Sequence, residues 1–437
     1  MTIVANAAYS QVIDLFRSVA TNPKHNHAYD FGFPSHITFP MFYQMYKRNG
    51  FAHAGIAHAV QKTWREYPVL LESAEAHKQT RPEKLMAEMF DRLSLWSKLA
   101  DVDERSRIGK YAALVFRFAD GKRPDEPVES ARGYEALVDV IPCYEDQLKP
   151  TSFDMDPMSL SYGSPTMYQF NEPAVDPSSD KVRVFNVHPS RVLIWSRDGT
   201  IHCDPVLEPG YNDLVTIEKI IGAGGEGFWK NAKSAPILNI DPTANLQSLA
   251  TMLGTDVAGI ADAMDEVVAG WQKGFDQLLM LQGIDAKALG ITLPQPAEFI
   301  AGALQSFAAS INEPLRILVG SQSGERASTE DAKEWDSTIM SRRENYVKPN
   351  IKRMLRMLAK VGIIPALDWH IGWSDLTEDS MDEKIARAER MANINKAAVG
   401  TGERYFTGAE IREVVGLAPL GDDGILAEDE STTEPQE

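Results

Sequence analysis

The chain has 437 residues, too many for one small core, and its 43% hydrophobic and 24% charged content excludes both wholesale disorder and a fibrous repeat. A formal net charge of -18 excludes a protein that grips nucleic acid over its whole surface, because neutralising phosphate takes clustered Lys and Arg. No run of about 18 apolar residues occurs and the start lacks a basic region before an apolar stretch, so neither a membrane span nor a signal peptide is expected. Cys143 and Cys203 have no CxxC spacing and no nearby His at metal-ligand spacing, so a disulfide framework and structural zinc have no support and no cofactor is implied.

The segment to about residue 150 reads as helical, with apolar residues at helical spacing in YSQVIDLFRSV (9–19) and again from Arg81 to Phe116. Between them an aromatic cluster precedes a short helical run that Pro68 should end. From Ala112 the pattern changes to strands of an antiparallel, loop-rich region: YAALVFRF, ALVDVIPCY, MYQFN, VRVFNVHPSRVLIW and IHCDPVL, the last placing the end of the sheet near Leu207.

Asp213 then reads as the cap of a helix through Leu214, Ile217, Ile220 and Ile221, weakened by four glycines. APILNI and DQLLMLQGI are strand-like and flank a helical stretch, giving a small α+β module from about Ser234 to Leu293. FIAGALQSFAASI is helical, GSQSGERAST (320–329) is a polar loop, and a long helix follows in which Pro349 should introduce a kink and Gly362 a stop. Two more helices are expected in DSMDEKIARAERMANINKAAVG and TGAEIREVVGL. The final GDDGILAEDESTTEPQE has seven acidic residues and no basic one, the composition of a disordered tail.

No enzyme signature survives its context. Gly222 to Gly227, GAGGEG, fits G-x-G-x-x-G but follows a helical segment rather than a strand, and Phe228 and Trp229 stand where a P-loop needs Lys and Ser or Thr. Gln322 occupies the position where a nucleophile elbow needs Ser. A nucleotide-processing phosphoesterase would need paired H-x-T or H-x-S motifs, and only His36-Ile37-Thr38 fits. The feature that stands out is the run from Arg342 to Lys360, with seven basic residues and one acidic residue in an acidic chain. Arg342, Arg343, Lys352, Arg353, Arg356 and Lys360 are its candidate contacts to DNA or to a neighbouring subunit, with Ile351, Leu355 and Leu358 packing inward.

Four stretches resemble the phage portal protein family: VHPSRVLIW, then DPVLEPGYNDLVTIEKIIGAGGEGFWK, then the segment from Phe299 to Leu358, then RYFTGAEIREVVGLAPLGDDG. The third carries a helix, a P-x-x-x-L-x-G turn at Pro314, Leu318 and Gly320, a polar loop, and a helix holding Trp335 and ending near Pro349. The resemblance implies an α+β, mainly helical fold without catalytic residues. It implies a ring, usually of twelve subunits, at one capsid vertex of the virion, assembled in the host cytoplasm. Its partners would be double-stranded DNA, terminase, capsid or scaffolding protein and head-tail adaptor or tail proteins, with no membrane. Another ring-forming head-tail connector is the nearest alternative.

On this chain the resemblance implies a wing over 1–212, stem helices at 213–233 and 295–318, a clip at 234–294, and a tunnel loop at 319–330. The long helix and short C-terminal helices of 331–420 would return to the wing, with a tail at 421–437 and little or no crown. Gly320, Ser321, Gln322, Ser323, Gly324 and Arg326 would lie beside DNA in the channel.

Overall fold

Strand β2 (Ala112–Phe118) is buried on both faces, and most of the fold is arranged around it. Alternation of side chains along a strand sends Ala112, Leu114, Phe116 and Phe118 into one core and Ala113 and Val115 into another. The computed structural model describes residues 26–73, 79–172, 183–232, 236–240, 247, 250–251, 254–260, 262–263, 284–288, 296–320, 325–377, 381–398 and 405–417. The expected helix at 9–19, most of the expected helix of the α+β module, and the tail lie outside these residues.

After a single helical turn at His27–Asp30, the described residues form helices α1 (Phe39–Arg48) and α2 (Gly50–Thr63), joined at Asn49, whose side chain accepts from the N–H groups of Phe51 and Ala52 and so caps α2. The aromatic stretch is therefore helical itself. After β1 (Val69–Leu71) come α3 (Arg81–Arg92) and α4 (Leu95–Ile108). The run from Arg81 forms two helices rather than one, because Ser94 takes a left-handed conformation, φ 49°, and turns the chain between them. A reciprocal Thr80–Glu83 capping box starts α3.

Strand β2 sits between β3 (Leu137–Tyr144) and β7 (Val192–Trp195), antiparallel to both. A second antiparallel sheet, β4 (Leu148–Phe153), β5 (Pro165–Glu172) and β6 (Arg183–Val187), packs Leu148, Tyr168, Phe170 and Val187 against the Ala113/Val115 face. The other face of β2 meets α3, α4 and the later helix α9 (Lys348–Val361) in the largest core, through Met86, Phe90, Leu99, Ile351, Met354 and Leu358. Burying each of these large side chains stabilises the fold by roughly 1.5–3 kcal/mol. The first sheet ends at Trp195. IHCDPVL forms no strand, because Asp198 draws the chain into a turn by accepting from the Thr200 N–H and hydroxyl and from Cys203 Sγ.

Helix α5 (Tyr211–Ala232) begins two residues before Asp213 and continues through Gly222, Gly224, Gly225 and Gly227. Strands β8 (Pro236–Ile240) and β9 (Ile284–Ala288) pair antiparallel, so the second strand starts at the end of the stretch expected for it. Helix α6 (Ala297–Ser310) packs along α5. Then come α7 (Leu315–Val319), α8 (Glu325–Arg342), a π-helical turn (Arg343–Val347), α9 (Lys348–Val361), β10 (His370–Gly372) on β1, α10 (Met381–Ala397) and α11 (Gly408–Val414).

The π turn accommodates Pro349. Lys348 N–H bonds to the carbonyl of Arg343, five residues back, and the extra residue makes room for a ring that has no N–H to give to the helix. Gly362, φ 87°, ends α9 in the left-handed conformation, with its N–H on Ala359 and that of Ile363 on Leu358.

Residues of α1, α2, the start of α5 and the end of α6 form another core with Phe42, Ile56, Tyr211, Leu214, Phe307 and Ile311. Gly55 lets α2 and α6 approach, since a β-carbon there would lie 2.6 Å from Ile311 Cδ1 and 3.2 Å from Phe307 Cζ. Gly55→Val is therefore expected to cost about 1–3 kcal/mol by overpacking. A lowered midpoint in urea unfolding of the full chain would show it.

Candidate functional site

The basic stretch is divided by the fold into buried and exposed members. Asp103 of α4 is fully buried and its carboxylate is fully engaged: Oδ1 accepts from Arg342 at 2.6 Å and Oδ2 from the Trp64 indole at 2.7 Å. Arg342 also donates to Thr63 Oγ1 at 2.8 Å and lies over the Tyr346 ring, whose hydroxyl meets Ser106 Oγ at 2.7 Å. Burial pushes the Arg342 pKa down, but the facing Asp103 carboxylate outweighs it and the net shift is upward.

Arg343 has no exposed surface. It donates to the carbonyls of Thr63 at 3.0 Å and Ser374 at 2.9 Å and lies over Trp373, tying the π turn to α2 and to the segment after β10. Burial lowers its pKa. Arg107 stands close by and is pushed down to about 10, by burial first and by the neighbouring Arg342 second. These guanidinium groups hold the chain's own elements together.

Arg353 donates to the Ser196 carbonyl at 3.0 Å and to Asn350 Oδ1 at 2.5 Å. It packs so closely on Gly199 that a β-carbon there would overlap it. Lys352 reaches Asp368 at 3.8 Å, and Arg356 and Lys360 are exposed. Ile351, Leu355 and Leu358 are buried as their spacing predicts. Thus the five-residue belt of Arg342, Arg343, Lys352, Arg353 and Arg356 does not form one exposed stripe. Arg342 and Arg343 face inward, and the solvent side of α9 is left to Lys352, Arg356 and Lys360.

The P-x-x-x-L-x-G turn has a direct structural reading. Pro314 precedes α7, Leu318 is buried against the α2–α6 core, and Gly320 closes α7 with φ 74°, a conformation that suits glycine. Just before it Glu313 is buried against His58 Nδ1 at 2.8 Å, with its pKa raised by burial and partly restored by His58 and Arg107. Arg316 faces Asp331 at 3.8 Å, and Trp335 and Ile339 pack on Ala59 of α2.

Ser321, Gln322, Ser323 and Gly324 lie outside the described residues. Helix α8 already begins at Glu325, so Arg326 belongs to a helix and the loop is shorter than the ten residues expected. GAGGEG lies in the interior of α5. Among the described residues no cluster of His, Cys, Asp and Glu is arranged to hold a metal, and no helix is long and apolar enough to cross a membrane.

Sequence reasoning missed Asp103, Thr63, Tyr346 and Glu313. Asp103 carried a signal, since it lies four residues after Leu99 and beside Val102 on the apolar side of α4. An acid there requires a buried cation.

Two helices rooted side by side in one core bracket a small antiparallel β pair, and with the two sheets they give the chain an α+β architecture. Residues 41–397 match the family model described as "Phage portal protein", and the chain belongs to that family, a structural one. Solved structures of similar fold include the neck of an empty GTA particle computed with C6 symmetry, at 12% identity and a TM-score of 0.49 over 89% of this chain and 97% of that one. The virion of a native gene transfer agent particle matches at 13% identity and 0.46 over 88% and 95%, and the neck of a native GTA particle computed with C12 symmetry at 12% and 0.48 over 87% and 93%. No curated protein matches the chain.

Removing one partner of a buried pair typically costs about 3–5 kcal/mol, whereas an exposed charge is worth about 0.5 kcal/mol or less. Arg342→Met is accordingly expected to destabilise the chain severely and Arg356→Ala hardly at all. Denaturant unfolding of the two variants side by side tests the division.

Proposed function

We propose that the chain assembles into a portal ring of about twelve copies at one vertex of a capsid, through which double-stranded DNA is packaged and ejected. The observation that carries this reading, beyond family membership, is the unfinished burial of α5 and α6. Their near ends are rooted by Tyr211, Leu214, Phe307 and Ile311, while further out Ile221 is 53% and Phe299 70% exposed. Large apolar side chains on paired helices call for a neighbour, and adjacent copies in a ring supply one. In this reading α5 and α6 are the stem and the β8–β9 pair belongs to the clip. The two sheets with their covering helices form the wing, and residues 320–324 form the tunnel loop.

The motor is a separate terminase that docks on the ring, and capsid or scaffolding protein and head-tail adaptor or tail proteins are its other partners in the virion. The charge balance suits a channel. A chain of net charge -18 repels phosphate over most of its surface, so DNA slides rather than sticks, and contacts by isolated cations are weak and salt-sensitive.

Electron microscopy with light scattering tests the assembly directly. The expected result is rings with a central hole and a mass near twelve times 48.5 kDa. A chain that remains a compact monomer in the presence of its capsid partners refutes it. Phe299→Asp is expected to abolish rings while leaving the circular dichroism spectrum of the subunit unchanged. Deleting residues 321–324 is expected to leave rings intact and to lower the yield of DNA-filled particles, counted by gradient sedimentation.

A further inference from the structure

The solvent side of α9 borders a groove of about 410 Å³. Lys352, Arg356 and Lys360 recur every four residues, so their side chains line up about 6 Å apart along the helix. Leu355, Ala359 and Trp369 give the groove an apolar floor, and Leu367 at its edge is 45% exposed.

The cations outnumber the one acid in the lining, Asp368, which is 94% exposed on its side chain and reaches only Lys352, at 3.8 Å. Among the described residues Arg356 and Lys360 have no ion-pair partner. Trp369 is 3% exposed, and its indole N–H is buried without an acceptor. The groove therefore sets positive charge beside an apolar floor.

These demands select between ligands. A DNA backbone offers phosphates but nothing apolar for the floor. An acidic polypeptide offers both carboxylates and an apolar side chain. The chain contains such a segment: residues 424–430 read Gly-Ile-Leu-Ala-Glu-Asp-Glu, within a stretch of seven acids and no base. In an extended segment alternate residues point the same way about 6.6–7 Å apart, so Glu428 and Glu430 match the spacing of two successive cations on α9.

We propose that the acidic C-terminal segment docks in this groove of its own subunit, with Leu426 on the floor and Glu428 and Glu430 against Arg356 and Lys360. The docked segment covers the cationic stripe of α9 and keeps duplex DNA from binding to it. The inference concerns the surface of one subunit and does not depend on the ring.

The test uses the full chain and a fluorescein-labelled peptide of residues 421–437, with binding read by fluorescence anisotropy at low salt. Neutralising the chain's own segment by Glu428→Gln, Asp429→Asn and Glu430→Gln should empty the groove, so that this variant binds the peptide at least tenfold more tightly than the unaltered chain. Adding Arg356→Glu and Lys360→Glu should abolish that binding. Equal binding by the unaltered and neutralised chains, no binding by either, or binding that survives the charge reversals overturns the proposal. If the neutralised chain prefers a short DNA duplex to the peptide, the groove is a nucleic-acid surface and the proposal fails. Light scattering of the same samples reports ring formation separately, so failure of the groove and failure of the ring are distinguishable.

Discussion

The Asp103 carboxylate fixes how helices α2, α4 and α8 sit on one another. It lies on α4 without solvent and takes one hydrogen bond from Trp64, just past the end of α2, and one from Arg342 at the end of α8. A buried carboxylate is tolerated only with full compensation, so α2, α4 and α8 have to arrive together. Because α2 and α4 each contribute side chains to both helical cores, the same interaction sets the sheet-covering core relative to the core that roots α5 and α6. Thr63 reinforces it by bonding Arg342 through its hydroxyl and Arg343 through its carbonyl.

From that base the subunit divides into a part complete in itself and a part that is not. The sheets close their cores within one chain, and β2 has almost no exposed surface beyond Arg117. The paired helices are complete only at their roots. Closed sheets with open helices are the layout expected of a component whose final contacts are made by copies of itself.

Much of this was legible in residues alone. The strands from Ala112 to Trp195 announced themselves by short apolar runs between Gly, Pro and Asp clusters, and Gly320 and Gly362 stand where the fold needs a left-handed residue. The split of the run from Arg81 was not legible, because Ser94 gives no local sign of a left-handed turn. The basic stretch was legible as composition but not as placement. Whether an arginine faces solvent depends on partners distant in sequence, and Arg342 meets an acid 239 positions earlier. Local pattern carries no record of such a pairing, and only the misplaced acid on the apolar side of α4 hinted at it.

The π turn has a consequence for how this rod of helix can change over time. Each residue added to or taken from a helix rotates everything beyond it by about 100°. The single extra residue at Arg343–Val347 thus sets the rotational phase of α9, turning Ile351, Met354 and Leu358 inward and leaving Arg356 and Lys360 outward. Losing one residue there would swing cations toward the core and apolar side chains toward water. The rod between Glu325 and Val361 is therefore expected to vary in side chains but to resist single-residue insertions and deletions, an indel-intolerant span inside a protein whose surface loops have no such restriction.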